Sequence, residues 1–161
     1  MNNDESIFKW LSIVMRNTHK HINHQMEDLK IGFGQHQYLL ALYHNNGASQ
    51  EELSKKLGID KGTTARAVKK LIDNGYVIRE IDENDKRAFK LFITEKAESY
   101  KLKFFKIADE WETTLLEGIS EEHRQIIKSA MMDMGKIAID KVKEETSYEQ
   151  TKSNAQKRTH Q

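Results

Sequence analysis

Three absences from the 161-residue sequence narrow what this protein can be. There is no cysteine, which excludes a disulfide framework, a thiolate metal site and a cysteine redox switch. There is no proline either, so helices can run unbroken wherever the sequence pattern supports them. No apolar run approaches the ~20 residues that a membrane-spanning helix needs, and the start does not resemble a signal peptide. We therefore expect a cytoplasmic protein without a membrane partner.

Charge is distributed unevenly along the chain. The net charge is only +1. Residues 55–70 nevertheless hold six Lys or Arg against one Asp, a net +5, whereas residues 95–145 hold nine Lys or Arg against twelve acids, a net −3. A compact basic patch beside an acidic body can place one face of a protein on phosphates. The alternative interpretation of such a patch is an ordinary solvated helix face.

The spacing of apolar residues predicts a mainly α-helical chain with one small β-hairpin. Apolar positions three and four residues apart mark a long first helix over about 4–30, and a second helix follows the glycine-containing break at 31–34. At 77–81 and at 89–93 the spacing of apolar residues shifts towards every second position, which is typical of paired strands.

The C-terminal part of the chain predicts two more helices and a tail. Thr94 is a suitable N-cap for a fifth helix, and Ser120, followed by two glutamates, is suitable for a sixth. The segment 146–161 is polar and lacks an apolar stripe, which predicts a mobile tail.

Between the second helix and the hairpin lies the strongest motif, two short helices joined by a tight turn. Ser49 and Glu52 form a capping-box pattern at the start of a third helix, which ends at Gly58. Asp60 is a suitable N-cap for a fourth helix that runs to 74–75. Two helices joined by a short turn containing glycine are typical of a helix-turn-helix, whose second helix can enter the major groove of DNA.

The polar side of the fourth helix carries residue types that suit duplex DNA. Lysines can lie near phosphates as point charges, threonines offer hydroxyls and methyls to base edges, and an arginine fork fits guanine O6 and N7. The helix N-terminus adds backbone donors for a phosphate. We expect the major-groove and phosphate surface to comprise Ser49, Gln50, Lys61, Thr63, Thr64, Arg66, Lys69 and Lys70.

The hairpin predicts a second contact with DNA. Its loop carries Lys86 and Arg87, which could enter a minor groove, because narrow A·T-rich tracts attract arginine. A helix-turn-helix followed by such a hairpin is a winged helix.

The run from Ser49 to Ala97 resembles the multiple-antibiotic-resistance regulator (MarR) family of bacterial winged-helix proteins. Residues 50–64 match the helix-turn-helix of that family, and Asp85-Lys86-Arg87 followed by Leu-Phe-Ile-Thr at 91–94 matches its wing. The flanking helices extend the resemblance over about residues 5–145. The resemblance implies that Arg87 probes the minor groove while Asp85 orients it through a salt bridge.

The same resemblance implies an architecture and a mode of action. It places an N-terminal dimerisation helix at 1–33, a winged helix-turn-helix lobe at 34–94 and C-terminal dimerisation helices at 95–145. We therefore expect a homodimer that binds a pseudo-palindromic operator, represses the adjacent gene and needs no cofactor, with activation of that gene as the alternative. A small aromatic acid, bound where the two lobes meet, is the expected effector.

The sequence is also compatible with a zinc-sensing regulator or a protein-interaction module, whereas it disfavours an enzyme. His19, His21 and His24 invite a zinc-sensing hypothesis, although His19 and His21 point about 200° apart on a helix. A winged helix can also serve as a protein-interaction module. An enzyme is disfavoured because the sequence shows no phosphate-cradling glycine loop, nucleophile elbow or His-Glu-x-x-His pattern.

Overall fold

The computed structural model describes the backbone of residues 6–83 and 85–158, and the side chains of these residues as far as 145. The chain divides into two compact units, the first ending at Leu115 and the second beginning at Leu116. The predicted fold class, mainly helical with a β-hairpin wing, is confirmed. In chain order the first unit contains α1 (Ile7–Gln25), a 3₁₀ turn (Glu27–Leu29), α2 (Phe33–His44), β1 (Ala48–Ser49), α3 (Gln50–Leu57), α4 (Lys61–Asp73), β2 (Val77–Ile81), β3 (Phe89–Ile93), α5 (Glu95–Ser99) and α6 (Lys101–Leu115).

Helix α1 is shorter than predicted. It ends at Gln25, and the chain then makes a 3₁₀ turn and adopts the left-handed conformation at Lys30, with φ of 56°. The predicted end near residue 30 is therefore wrong, because Leu29 continues the apolar spacing from within the 3₁₀ turn. The predicted start lies outside the described residues.

The wing hairpin has the predicted strands, and a third strand joins it. The sheet order is β1-β3-β2 with antiparallel pairing, and Val77 lies opposite Ile93 at the base of the hairpin. Strand β1 pairs Ala48 with Leu91. A strand of two residues shows no periodicity, so the sequence could not predict it.

The predicted fifth helix is divided in two. Thr94 caps α5 as predicted, because its hydroxyl accepts a hydrogen bond from the Ala97 N–H at 3.2 Å. Tyr100 then leaves the helical conformation, with ψ of 2°, and α6 begins at Lys101.

The core of the first unit surrounds α2. Its side chains Tyr38, Leu39 and Leu42 are fully buried, and Tyr76 and Phe104 pack in the same cluster. Burying whole side chains of this size contributes roughly 1.5–3 kcal/mol each. Helix α2 also contacts α1, α3, α4, β3 and α6, so it fixes the position of the helix-turn-helix against the remainder of the unit.

The second unit is one long helix, α7 (Glu121–Arg158), which begins after Ser120 as predicted. The segment 146–161 was predicted to be a mobile tail; the structure continues α7 to Arg158, and the mobility of the segment stays a prediction. This segment contains neither proline nor glycine, the two residues that most strongly disfavour a helix interior. Within the described part of the chain, none of the helices combines the length and apolar character needed to cross a membrane.

Candidate nucleic-acid interface

The turn between α3 and α4 is built from local hydrogen bonds. The capping box at the start of α3 is present: the Ser49 N–H donates to Glu52 Oε2 at 2.7 Å, and the Glu52 N–H donates to Ser49 Oγ at 3.2 Å. Helix α3 ends at Gly58, which adopts φ of 65°, a left-handed conformation that side chains with a Cβ disfavour. The buried Ser54 hydroxyl then donates to the Ile59 carbonyl at 2.6 Å and holds the turn closed.

Two predicted contact residues, Ser49 and Gln50, lie at the start of α3. Ser49 is half-buried and its oxygen serves the cap, so only its hydroxyl proton remains for a phosphate. Gln50 is the first residue of α3 and is also half-buried.

Helix α4 begins as predicted at the N-cap Asp60. The Thr63 N–H donates to Asp60 Oδ1 at 2.8 Å, and this hydrogen bond lowers the pKa of the Asp60 carboxyl. A Cβ built on Gly62 would stand 3.2 Å from the same Oδ1. Glycine at 62 therefore leaves room for the capping carboxylate, at a cost of up to ~1 kcal/mol in helix propensity.

Helix α4 has one buried and one exposed face. The buried face carries Ala67, Val68 and Leu71, and it also carries Thr64. The Thr64 side chain is fully buried, and its Oγ1 lies 3.0 Å from the Tyr38 hydroxyl of α2. The prediction that Thr64 reads base edges is therefore wrong, because its hydroxyl is used inside the protein. The sequence pattern did not identify Thr64 as a core residue, because threonine was counted as polar. Its side chain nevertheless has the size and β-branched shape of valine, so it fits a buried position.

The exposed face of α4 presents the predicted cations, most of them held by a neighbour. Lys61 Nζ lies 3.3 Å from Glu51 Oε1, and Lys69 Nζ lies 2.8 Å from Asp73 Oδ2. Arg66 Nη2 donates to the Thr63 hydroxyl at 2.9 Å. Among the described residues, Lys70 makes no ion pair.

Glu51 is a feature that sequence reasoning missed. Its carboxylate also lies 3.4 Å from Lys55 Nζ, so it stands between two ammonium groups. Lys61 first, and Lys55 with it, lower the pKa of the Glu51 carboxyl. The Lys55 pair follows helical i,i+4 spacing and could have been found, whereas the Lys61 pair crosses the turn between helices.

The wing places Lys86 and Arg87, both exposed, in the loop between β2 and β3. Asp85 Oδ1 accepts a hydrogen bond from the backbone N–H of Arg87 at 2.9 Å. In the part of the chain that the structure describes, Asp85 forms no salt bridge with the Arg87 guanidinium, so that predicted contact is wrong. A short acidic side chain reaches the amide two residues ahead more readily than the end of a long, solvated arginine.

The histidines of α1 do not gather at a metal site. His19 stacks on Phe33 with ring centroids 4.1 Å apart, and His21 stacks on Trp111 at 4.3 Å. Among the described residues, no three His, Asp or Glu side chains come together as metal ligands. The described part of the chain therefore gives the zinc-sensing alternative no support.

An open groove of about 550 Å³ lies between α1 and α6 in the first unit. It is lined by His21, Gln25, Ile107, Asp109, Glu110, Thr113 and Thr114. The lining combines apolar surface with two carboxyl groups, of which Glu110 lies 3.5 Å from the ammonium group of Lys106.

Comparison of the sequence with known proteins gives one consistent assignment. The model of the MarR family matches residues 28–88. An uncharacterized HTH-type transcriptional regulator, YybA of Bacillus subtilis (strain 168), is 30% identical over 125 residues, covering 78% of this chain and 83% of that protein. The HTH-type transcriptional regulator BilQ of Clostridium symbiosum is 30% identical over 106 residues, covering 66% and 74%.

Solved structures agree with the sequence matches. A MarR transcriptional regulator from Methanosarcina mazei Go1 has a TM-score of 0.76 and 39% identity, covering 83% of this chain and 96% of that one. A putative MarR family regulator from Listeria monocytogenes, crystallised with a 26-mer DNA, has a TM-score of 0.79 and 26% identity, covering 84% and 91%.

Proposed function

Because the chain belongs to the MarR family of transcriptional regulators, we propose that it is a homodimeric repressor of a pseudo-palindromic DNA operator. Helix α4 enters the major groove and the β2–β3 loop enters the adjacent minor groove. The observation that carries this proposal is the exposed face of α4, where Lys61, Arg66, Lys69 and Lys70 lie on one side of a helix whose other side is buried. The protein acts in the cytoplasm, on the DNA that carries its operator.

The exposed apolar residues of α1 support the homodimer. Ile7, Phe8 and Trp10 are 65%, 78% and 56% exposed in the single chain. Large apolar side chains clustered on one helix mark an interaction surface. A second copy of the chain is the partner that the family assignment favours.

Helix α7 supports the same conclusion. Between Glu121 and residue 145 none of its side chains is buried, although large apolar residues recur along it. Those more than a third exposed are Ile126, Ile127, Met131, Met132, Met134, Ile137 and Val142. A helix of this composition needs an apolar partner to be stable. We propose that α1 and α7 form the dimer interface.

A dimer fixes the geometry of the operator. A two-fold axis places two α4 helices about 34–36 Å apart when they dock in successive major grooves on one face of the duplex. The operator is then an inverted repeat with half-sites about one helical turn apart.

Release by a small molecule is the regulatory part of the proposal. The two α4 helices can be differently spaced in different conformations of the dimer. An effector that binds only one of these conformations shifts the dimer towards it. The groove between α1 and α6 is the candidate effector site. Because Asp109 lines it while Glu110 already pairs with Lys106, we expect a neutral or cationic aromatic compound rather than the aromatic acid that the resemblance implies.

The experiment that tests the proposal is a selection of bound duplexes from a random pool at near-physiological salt. We expect an inverted repeat with half-sites one turn apart. Selection by the Lys70→Ala variant should recover the same repeat at lower yield, since a phosphate contact is lost without a base contact. A pool that stays random for the wild-type protein contradicts the proposal.

Two parallel arms test the regulatory alternatives. One compares zinc with a chelator, and equal enrichment in both would remove the zinc-sensing alternative. The other adds benzylammonium or benzoate to the preformed complex, and release by benzoate alone would contradict the groove between α1 and α6 as the effector site.

A further inference from the structure

Arg66 is held differently from the paired lysines of α4. Lys61 and Lys69 pair with carboxylates, at 3.3 and 2.8 Å, so part of their charge is already neutralised. Arg66 instead donates from Nη2 to a neutral acceptor, the hydroxyl of Thr63, at 2.9 Å. The guanidinium also attracts the Asp60 carboxylate, but its hydrogen bond goes to the hydroxyl, so one of its five donors is engaged.

Thr63 is itself fixed by its neighbours. Its N–H donates to Asp60 Oδ1 at 2.8 Å, and its side chain is half-buried in the first turn of α4. A threonine has restricted χ1 rotation, so the hydroxyl has few positions to occupy. Residues three apart lie on the same face of a helix, which puts this hydroxyl beneath the Arg66 side chain.

The consequence is a preoriented arginine on an exposed surface. The remaining hydrogen of Nη2 and those of Nη1 stay available for two parallel hydrogen bonds to guanine O6 and N7. A long side chain that is already ordered loses less conformational entropy when it binds.

We propose that Thr63 is a positioning residue that orients Arg66 for reading one guanine in each half-site, and does not itself contact a base. This inference rests on the proposed operator binding. It changes the role predicted for Thr63 from direct contact to action through Arg66.

The test first identifies the guanine concerned. Duplex selection by the wild type and by Arg66→Ala shows the base pair at which only the wild type has a preference. Binding to that operator and to a copy with adenine in place of the guanine then gives a discrimination ratio for each variant. The variants are Thr63→Val, which keeps the shape and removes the hydroxyl, and Thr63→Ser, which keeps the hydroxyl. Ser99→Ala on α5 is the control, because it removes an exposed hydroxyl that donates to the Lys96 carbonyl of its own helix at 2.8 Å.

We expect Thr63→Val to lower the ratio roughly five- to tenfold, a fraction of what one bidentate base contact contributes. Thr63→Ser and Ser99→Ala should retain the discrimination ratio of the wild type. The dependence of affinity on salt should not change, because no phosphate contact is lost. In the Arg66→Ala background, Thr63→Val should have no additional effect. Thr63→Ala gives a second measurement without the hydroxyl if the valine variant folds poorly.

Three results overturn the inference while the proposed function stands. The first is a Thr63→Val variant that keeps the discrimination ratio of the wild type. The second is a loss of preference at a different base pair. The third is a further fall in the ratio when Thr63→Val is added to Arg66→Ala. A wild-type protein that selects no sequence overturns the proposed function itself, and is seen before any variant is measured.

Discussion

The hydroxyl of Tyr38 on α2 lies 3.0 Å from the hydroxyl of Thr64 on α4, and both side chains are fully buried. This hydrogen bond ties α4 to the centre of the core. Burial is the main cause of the raised pKa of Tyr38, so the phenol stays protonated and can donate.

Removing one of these two hydroxyls should destabilise the protein more than removing both. Thr64→Val leaves the Tyr38 hydroxyl buried without a partner, and we expect a loss of about 1–3 kcal/mol in the free energy of unfolding. The double variant Tyr38→Phe with Thr64→Val should recover part of that loss, since no polar group is then left unpaired. Urea denaturation of the wild type, Thr64→Val, Tyr38→Phe and the double variant measures the cycle, and strictly additive losses would contradict the coupling.

Substitutions at Asp85 distinguish a backbone contact from a salt bridge. An asparagine at this position keeps an oxygen for the Arg87 N–H, so Asp85→Asn should bind the operator as well as the wild type does. Asp85→Ala loses this acceptor and should weaken binding, by less than the roughly 1–3 kcal/mol expected for Arg87→Ala. Titration by fluorescence anisotropy gives the three affinities. If the asparagine variant loses as much affinity as the alanine variant, the carboxylate charge matters and the backbone role is insufficient.

Replacing Glu51 by glutamine should strengthen binding to any DNA sequence. The substitution frees Lys55 and Lys61 from a carboxylate that competes with phosphates. We expect higher affinity for unrelated duplexes and a salt slope steeper by up to about one for each lysine that gains a phosphate. Glu117→Gln, beyond the first unit, is a control for net charge. An unchanged salt slope would show that these lysines do not meet phosphates.

Stability should fall in mildly acidic solution because of His36. Burial lowers the pKa of this imidazole, while its Nε2 lies 2.9 Å from the Phe104 carbonyl on α6. The unfolded chain, with a His pKa near 6.5, therefore takes up a proton before the folded protein does. The contribution of His36 is complete above about pH 6.5 and is lost as the pH falls towards the lower folded value.

Unfolding measured between about pH 7.5 and 5 should show this slope, and His36→Gln should flatten it. His24→Gln, at an exposed position of α1, is the control and should leave the slope as it is. An equal slope in His36→Gln would assign the acid sensitivity to other groups.

Gly58→Ala should destabilise the helix-turn-helix. The left-handed φ of 65° costs an alanine roughly 1–2 kcal/mol. Gly34 offers the matched control, since it lies in helix α2 and a Cβ there meets nothing within 4 Å. Gly34→Ala should leave thermal stability equal or slightly higher, and a similar loss at both positions would show that backbone conformation is not the cause.

The sequence by itself determined the elements that depend on local rules. The caps at Ser49, Asp60 and Thr94 were predictable because a side-chain oxygen satisfies backbone donors only a few residues away. The bounds of β2 and β3 followed from alternation, and the end of α3 followed from Gly58.

Only the tertiary structure decided the features that join residues distant in sequence. Thr64 and Tyr38 are 26 positions apart, and no local pattern distinguishes a threonine that faces DNA from one that faces the core. The same holds for the pairing of Ala48 with Leu91 and for the ion pair between Glu51 and Lys61. Hydrogen bonds between residues a few positions apart can be predicted from their spacing in the sequence. Burial and long-range pairing, in contrast, depend on how the helices pack around α2.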